Sequence, residues 1–310
     1  MLSISSPGKI ILSGEHSVVY GYPALVASID KRVFVNLKKS KKGIVVHPWT
    51  VRDFVNDSLD KAVSFLNIKI ENIDITLKSQ VPIGRGLGSS AALAVGLSAG
   101  LFKLKTKHLI LKDINDLAYQ IEKKTHGNPS GVDNTISTYG GFLWYRKETE
   151  KFKTFSRIIP QKKLPKLLLI DTSRPKENTK QMVSLVSEFY KNKPQKVKRI
   201  LEKMEKVTKT FLQYILKEKD FSLPEIIKEN ERLLEELDVV SHSTKSLIRE
   251  IEKIGGAAKI SGAGGKKGSS GIIYAYHPKQ SKLFDFAKKK KLNMFFVRLG
   301  VKGVKIERNS

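Results

Sequence analysis

Residues 82–93 read Pro82-Ile83-Gly84-Arg85-Gly86-Leu87-Gly88-Ser89-Ser90-Ala91-Ala92-Leu93, and more small apolar residues follow them. Alternate glycines let a backbone curve tightly and approach a ligand without clashes from Cβ atoms. A helix that begins after such a turn presents unpaired N–H groups and the positive end of its dipole. Together these features predict a cradle for an anion, most simply a phosphate chain. Glycine runs also make ordinary strand-to-helix turns, so this stretch alone leaves both interpretations open.

The length and the cysteine content limit the class of protein. A chain of 310 residues exceeds the commonest domain size and predicts two domains that share a cleft. We place the boundary near residue 165, which gives domains of residues 1–165 and 166–310. The absence of cysteine excludes disulfides, thiolate zinc sites and cysteine nucleophiles. Together with the lack of an apolar signal segment before Lys9, it indicates a cytoplasmic protein.

The net charge of +27 raises the question of a nucleic-acid partner. The lysines are spread along the whole chain, however, and their short clusters lack interleaved aromatic residues. We therefore expect a solvated, lysine-rich surface that attracts an anionic substrate, with neither nucleic acid nor membrane as a partner. An uncharged run over residues 86–102 is slightly short for a membrane span and rich in glycine, so it predicts a buried helix. A non-catalytic, nucleic-acid-binding protein stays open as an alternative.

Apolar periodicity predicts a mixed α+β fold whose second half is mainly helical. Strands are predicted at residues 10–12, 33–37, 44–46, 73–77, 142–145, 167–170 and 272–276. Helices are predicted at residues 53–66, 111–124 and 280–290, within a long helical pattern from about residue 177 to 254, and after Asn128-Pro129-Ser130. Ser6-Pro7-Gly8 predicts an interruption of the first strand.

Three further features carry reactive side chains. Lys9 follows Pro7-Gly8, and Glu15 and His16 stand together after Gly14; by themselves these read as solvated surface groups. Ser89 and Ser90 stand where the predicted helix begins. Serine there is an ordinary helix cap, but its hydroxyl could instead reach a phosphate-bound Mg²⁺.

The segment from Glu122 to Asn134 holds two carboxylates that belong to different predicted elements. Glu122 lies near a predicted helix end, where the dipole disfavours a carboxylate and makes a cation partner attractive. Asp133 lies in the first turns of the next helix, within an uncharged stretch. Such a lone carboxylate either stabilises the helix start or takes part in catalysis.

In this order, the segments resemble the signatures of the kinase superfamily named for galactose, homoserine, mevalonate and phosphomevalonate. The resemblance rests on residues 7–21, 81–92 and 126–134, and the last segment is closest to the branch that acts on mevalonate. A weaker match at residues 171–180 agrees with the opening of that family's second domain. The family implies a ribosomal-S5-like N-terminal domain for ATP and a ferredoxin-like C-terminal domain with extra helices that completes the acceptor cleft.

The resemblance also implies ATP- and Mg²⁺-dependent phosphorylation of mevalonate to 5-phosphomevalonate in isoprenoid synthesis. Asp133 would orient or accept the proton of the attacking hydroxyl, or act only electrostatically, and Lys9 would stabilise the transferring phosphoryl group. The family assigns Pro82, Ile83, Gly84, Arg85, Gly86, Leu87, Gly88, Ser89, Ser90, Ala91 and Ala92 to ATP, and Ser90 with Glu122 to Mg²⁺. It assigns Glu15, His16, Tyr139 and Thr172 to the acceptor.

One segment departs from the family pattern. Lys266 and Lys267 replace two glycines of the last glycine-rich segment, residues 259–271, and we expect their replacement by glycine to raise a KM. A kinase for phosphomevalonate or another small alcohol stays open as an alternative. A homodimer is likewise left open.

Overall fold

The computed structural model describes residues 1–106, 108–126, 129–162 and 164–307, without the side chains of residues 125 and 126. The strands are β1 (Leu2–Ser13), β2 (Ala24–Lys39), β3 (Val45–His47), β4 (Ile73–Ser79), β5 (Phe142–Lys147), β6 (Lys153–Ile158), β7 (Leu167–Asp171), β8 (Ala257–Ile260), β9 (Ile272–Tyr276), β10 (Asn293–Val297) and β11 (Lys305–Ile306). The helices are α1 (Arg52–Leu66), α2 (Ser89–Lys105), α3 (Leu111–His126), α4 (Val132–Tyr139), α5 (Thr179–Asn192), α6 (Pro194–Ile215), α7 (Leu223–Glu236), α8 (His242–Lys253) and α9 (Gln280–Lys289). This mixture of helix and sheet confirms the predicted α+β class.

The larger, seven-stranded sheet has the order β11-β1-β2-β4-β3, and β5 pairs with both β2 and β6. Strand β2 pairs with β1 along one edge. Along its other edge, residues 24–27 pair with β5 and residues 33–39 pair with β4. Strand β1 runs through Ser6-Pro7-Gly8 without a break, which makes the predicted interruption wrong. A register shift between Pro7 and Lys9 absorbs the irregularity instead.

Helix α2 is the predicted buried helix, and it packs on β1 and β2. Its small residues allow this contact: a Cβ on Gly96 would stand 2.8 Å from Val35, and one on Gly100 would stand 2.6 Å from Leu37. Among the described residues, no helix is long and apolar enough to cross a membrane.

The smaller sheet is antiparallel, with the order β10-β7-β9-β8. Helices α5 to α8 occupy the long predicted helical pattern, and its two prolines, Pro194 and Pro224, lie in the first turns of α6 and α7. Strands β6, β8, β10 and β11 were not predicted from the sequence. They are short, and β6 is largely exposed, so they lack a clear apolar alternation.

The two sheets share one apolar core, because residues of β1 and β2 cluster with those of β7 and α6. Polar contacts cross the same junction: Tyr274 OH donates to Leu12 O at 2.8 Å, and the hydroxyls of Ser13 and Thr208 lie 2.6 Å apart. Strand β11 returns from the C-terminal part of the chain to pair with β1. The division at residue 165 stays a prediction.

Candidate active site

A cleft of about 540 Å³ lies where the two sheets meet, and residues from both halves of the chain line it. The predicted site residues in its wall are Lys9, Glu15, His16, Ile83, Gly84, Arg85, Gly86, Gly88, Ser89, Ser90, Glu122 and Asp133. They are separated by up to 124 positions in the sequence, so only folding brings them together.

The glycine loop enters the cleft just before α2. Gly84, Gly86 and Gly88 all have positive φ angles, of 68°, 88° and 72°. This conformation is costly for residues with a Cβ, which explains the alternate glycines. Leu87, Ala91 and Ala92 are fully buried behind the loop, and Pro82 does not line the cleft. These four residues are not among those that line the cleft, and their predicted contacts with ATP stay predictions.

Lys9 and Asp133 face each other beside this loop. Lys9 Nζ lies 3.4 Å from Asp133 Oδ1, and the side chain of Lys9 is 2% exposed while that of Asp133 is 35% exposed. Gly88 lies against both, since a Cβ there would be 2.9 Å from Lys9 Cγ and 3.7 Å from Asp133 Oδ2. Lys9 N also donates to Leu87 O at 3.0 Å. The glycine loop, the Lys9 ammonium and the Asp133 carboxylate therefore lie in direct contact with one another.

Glu122 projects from α3 into the same wall and is 4% exposed. Burial raises the pKa of Glu122 to about 8; a hydrogen bond with Ser90 opposes the increase, and the Asp133 carboxylate adds to it. Two carboxylates and a hydroxyl around one cleft are ligands that an oxygen-preferring cation favours. No group of three or more metal-ligating His, Asp or Glu side chains occurs in the described part of the chain. A cation here would therefore need oxygens from a ligand or water.

Glu15, in the wall of the cleft, belongs to a buried ion pair. Lys259 Nζ, on β8, donates to Glu15, and both side chains are at most 1% exposed. Burial raises the pKa of Glu15, although the charge of Lys259 opposes the increase. Glu15 Oε2 has no hydrogen-bond partner among the described residues.

His16 lies next to this pair and has a positive φ of 59°. Its Nε2 lies 3.0 Å from Ala263 O, which can only accept, so Nε2 carries the proton. Burial lowers the pKa of His16 to about 4. His16 is therefore neutral at physiological pH and ties β1 to the last glycine-rich segment.

A second buried glutamate lies behind the ion pair. Glu231 Oε2 on α7 accepts from Ile260 N at 3.0 Å, and the residue is 0% exposed. Burial raises the pKa of Glu231 to about 8, while its hydrogen bond with Ile260 and the charge of Lys259 oppose the increase.

This pKa makes the stability of the protein depend on pH. The folded value of about 8 exceeds the usual 4.5, so the folded state keeps its proton over a range in which the unfolded state loses it. Stability from this group is complete below pH 4.5 and falls by about 1.4 kcal/mol per pH unit until pH 8. From pH 6 to pH 8, wild type should therefore lose about 2 kcal/mol relative to Glu231→Gln.

Urea unfolding of both proteins at the two pH values measures this difference. Glu229→Gln, an exposed change on the same helix, is the control and should show no such pH dependence. An equal stability difference between wild type and Glu231→Gln at both pH values would contradict the raised pKa.

Two predicted acceptor contacts lie outside the cleft. Tyr139 is the last residue of α4, and its ring packs against Phe155 at 4.7 Å and near Arg157. Thr172 Oγ1 donates to Gly271 O at 2.7 Å and so fixes the last glycine-rich segment. Neither lines the cleft in the described part of the chain. Tyr139 packs against β6 and Thr172 holds a loop, and a contact of either residue with the acceptor stays a prediction.

Known proteins resemble the chain in sequence. Residues 54–141 match the family described as GHMP kinases N terminal domain. The mevalonate kinase of Pyrococcus horikoshii is 32% identical to this chain over 88% of each chain. The chain belongs to the mevalonate kinase family. This confirms the resemblance seen in the sequence.

Solved structures share the fold of this family member. The mevalonate kinase of L. major, in complex with R-mevalonate, superposes with a TM-score of 0.80 and 24% identity over 96% of this chain and 95% of that one. The phosphomevalonate kinase of Streptococcus pneumoniae, in complex with phosphomevalonate and AMPPNP, superposes with a TM-score of 0.78 and 16% identity. The match covers 96% of this chain and 100% of that one. Enzymes with different acceptors thus share this fold, so the fold does not decide the acceptor.

Several basic side chains that line the cleft were not predicted from the sequence. Arg174 and Lys176 line it from the segment that joins β7 to α5, and Lys180 lines it from the first turn of α5. The weaker family match at residues 171–180 marked this segment but gave a role only to Thr172. Their positive charges suit an anionic ligand.

Lys266 and Lys267, which depart from the family pattern, are exposed and do not belong to the residues described as lining the cleft. Lys266 pairs with Asp238, and Lys267 N donates to Glu177 Oε1 at 3.1 Å. The structure thus removes the reason to expect a raised KM from their replacement.

We now expect the double variant Lys266→Gly with Lys267→Gly to keep kcat and the KM values for ATP and mevalonate within about twofold of wild type, because neither lysine is among the residues described as lining the cleft. Steady-state kinetics measures this. A KM raised about fivefold or more would place one of the lysines in contact with a substrate.

Proposed function

We propose that this protein transfers the γ-phosphoryl group of ATP to the primary hydroxyl of mevalonate, which gives 5-phosphomevalonate and ADP. The observation that carries the proposal is the Lys9–Asp133 pair, 3.4 Å apart, beside the glycine loop. Family membership supports the same reaction, because the similar curated relatives are mevalonate kinases.

The glycine loop would hold the phosphates of ATP. Positive φ angles at alternate positions favour a concave backbone whose N–H groups converge on an anion. Helix α2 begins at Ser89, so its N-terminal dipole would add attraction for the same phosphates. Arg174, Lys176 and Lys180 add positive charge on the other wall.

Ser90 and Glu122 would hold Mg²⁺ together with phosphate oxygens and water. The site fits such an ion, since burial and Asp133 both disfavour an ionised Glu122 until a cation compensates its charge. The ion would neutralise charge on the phosphates of ATP.

Asp133 and Lys9 would act at the acceptor hydroxyl. Asp133 is partly exposed and can accept or orient the hydroxyl proton, whereas the buried Lys9 ammonium can stabilise the charge of the transferring group. An electrostatic role of Asp133 alone predicts the same geometry. Glu15 Oε2, which is buried without a hydrogen-bond partner among the described residues, would accept from the acceptor, and His16 would complete that wall.

The partners that we propose are small molecules, ATP and mevalonate, in the cytoplasm. The spread of basic residues supports a solvated surface better than a nucleic-acid site. A homodimer stays a prediction.

A coupled ADP-release assay with a panel of acceptors tests the choice of substrate. We expect mevalonate to give a kcat/KM about a hundredfold or more above phosphomevalonate, galactose and homoserine. A higher value for any other acceptor would replace mevalonate as the substrate. Tight binding of duplex DNA at physiological salt, without turnover, would instead favour the nucleic-acid alternative.

A further inference from the structure

The glycine loop carries an arginine whose partner lies in the other sheet. Arg85 Nη1 donates to Asp171 Oδ1 at 2.9 Å, and Asp171 is the last residue of β7. The side chain of Arg85 is 26% exposed and that of Asp171 is 9% exposed. This ion pair therefore links the loop between β4 and α2 to the smaller sheet.

The backbone of Arg85 makes a second link to the same sheet. Ile272 N, at the start of β9, donates to Arg85 O at 3.0 Å. Gly271 lies so close that a Cβ there would stand 2.8 Å from Arg85 O. Arg85 is thus held to β7 by its side chain and to β9 by its carbonyl.

Asp171 also orders the segment that follows it. The same oxygen, Oδ1, accepts from Ser173 N at 2.9 Å, and Ser173 has a φ of 93°. Such a conformation in a serine persists only where its surroundings fix it. The next residue, Arg174, lies over the glycine loop, since a Cβ on Gly84 would be 3.0 Å from Arg174 Nε. One carboxylate therefore orients both walls of the proposed phosphate site.

We propose that Arg85 is a positioning residue that, through Asp171, fixes the glycine loop in its nucleotide-binding conformation. The inference rests on the proposed use of this loop for ATP phosphates. Without the pair, the loop would spend only part of its time in this conformation. The apparent nucleotide affinity falls by the fraction of molecules that are competent to bind.

Nucleotide binding to the full-length protein, measured with a fluorescent ADP analogue and Mg²⁺, tests this role apart from turnover. We expect Arg85→Ala to weaken binding about tenfold and Arg85→Lys to restore much of the loss. Arg298→Ala breaks the ion pair of 3.0 Å between Arg298 Nε and Asp30 Oδ2, two residues that are not among those described as lining the cleft, and should bind as wild type does. Equal affinities of Arg85→Ala and Arg298→Ala would overturn the proposal.

Asp171→Asn separates positioning from direct contact. If Arg85 acts through Asp171, this variant also weakens binding about tenfold, and the double variant Arg85→Ala with Asp171→Asn is no weaker than either single variant. If Arg85 itself bound phosphate, Asp171→Asn would release it and leave affinity unchanged or increased, which would overturn the positioning role.

Turnover distinguishes this inference from the proposed function. In the positioning role, Arg85→Ala raises the KM for ATP about tenfold and changes kcat by less than about threefold. Equal melting temperatures of Arg85→Ala and Arg298→Ala show that the loss is not one of general stability. If wild type does not phosphorylate mevalonate but Arg85→Ala still weakens nucleotide binding, mevalonate is not the substrate, whereas the positioning role of Arg85 is supported.

Discussion

Asp133→Asn lowers kcat about a thousandfold and leaves the KM for ATP within about threefold of wild type. An amide keeps the shape of the carboxylate but can neither accept the hydroxyl proton nor balance the charge of Lys9, 3.4 Å away. Because Asp133 lies in the first turn of α4 and not in the glycine loop, nucleotide binding should change little. Steady-state kinetics with varied ATP measures both quantities.

Asp116→Asn is the matched control for this change. Asp116 lies on the neighbouring α3, exposed and paired with Lys112, and its loss should leave kcat within about twofold. A kcat of Asp133→Asn near that of the control would remove Asp133 from the reaction.

Gly86→Ala lowers kcat/KM about a hundredfold or more, because the added methyl group cannot fit without moving the loop. Its Cβ would lie 2.3 Å from Ser261 O, a backbone atom of the opposite glycine-rich segment. The loop must therefore move away from the position in which it faces Lys9 and Asp133. Coupled ADP release at several ATP concentrations measures the loss.

Gly141→Ala controls for backbone strain. Gly141 has a φ of 76°, close to the 88° of Gly86, but a Cβ there meets no atom within 4 Å. Both variants suffer the strain of a left-handed alanine, which costs about 1–2 kcal/mol. Only Gly86→Ala adds the clash, so equal activity of the two variants would show that loop position does not matter.

The sequence predicted the elements that have a strong apolar period. Helix α1 and strand β4 have clear 3.6-residue and two-residue periods, and both lie where we expected them. The continuity of β1 through Pro7 could not be predicted, because a bulge depends on the partner strand. The short strand β8 was not predicted, because it has only four residues and a glycine-rich segment without apolar alternation follows it.

Only those residues of the site that belong to the family motifs could be predicted from the sequence. Those motifs assigned Lys9, Ser90, Glu122 and Asp133, and the fold brings all four to one cleft. Contacts between residues far apart in the chain could not be predicted from the sequence. Lys259 and Glu15, for example, are 244 positions apart, and only the fold places them together.

Arg85 stood in the sequence as a charged residue among glycines without a clear role. The structure gives it a partner, Asp171, 86 positions later. Tyr139 shows the opposite case, because it stands near the motif in sequence but at the far end of α4 in space. Proximity to a motif along the chain therefore did not ensure a place in the cleft.

The product formed from ATP and mevalonate tests the central claim most directly. After incubation of the purified protein with ATP, Mg²⁺ and R-mevalonate, ³¹P NMR should show one new phosphomonoester, formed at the oxygen of the primary hydroxyl, for each ADP formed. ADP with inorganic phosphate and no phosphomonoester, or a phosphoanhydride in its place, would contradict the account.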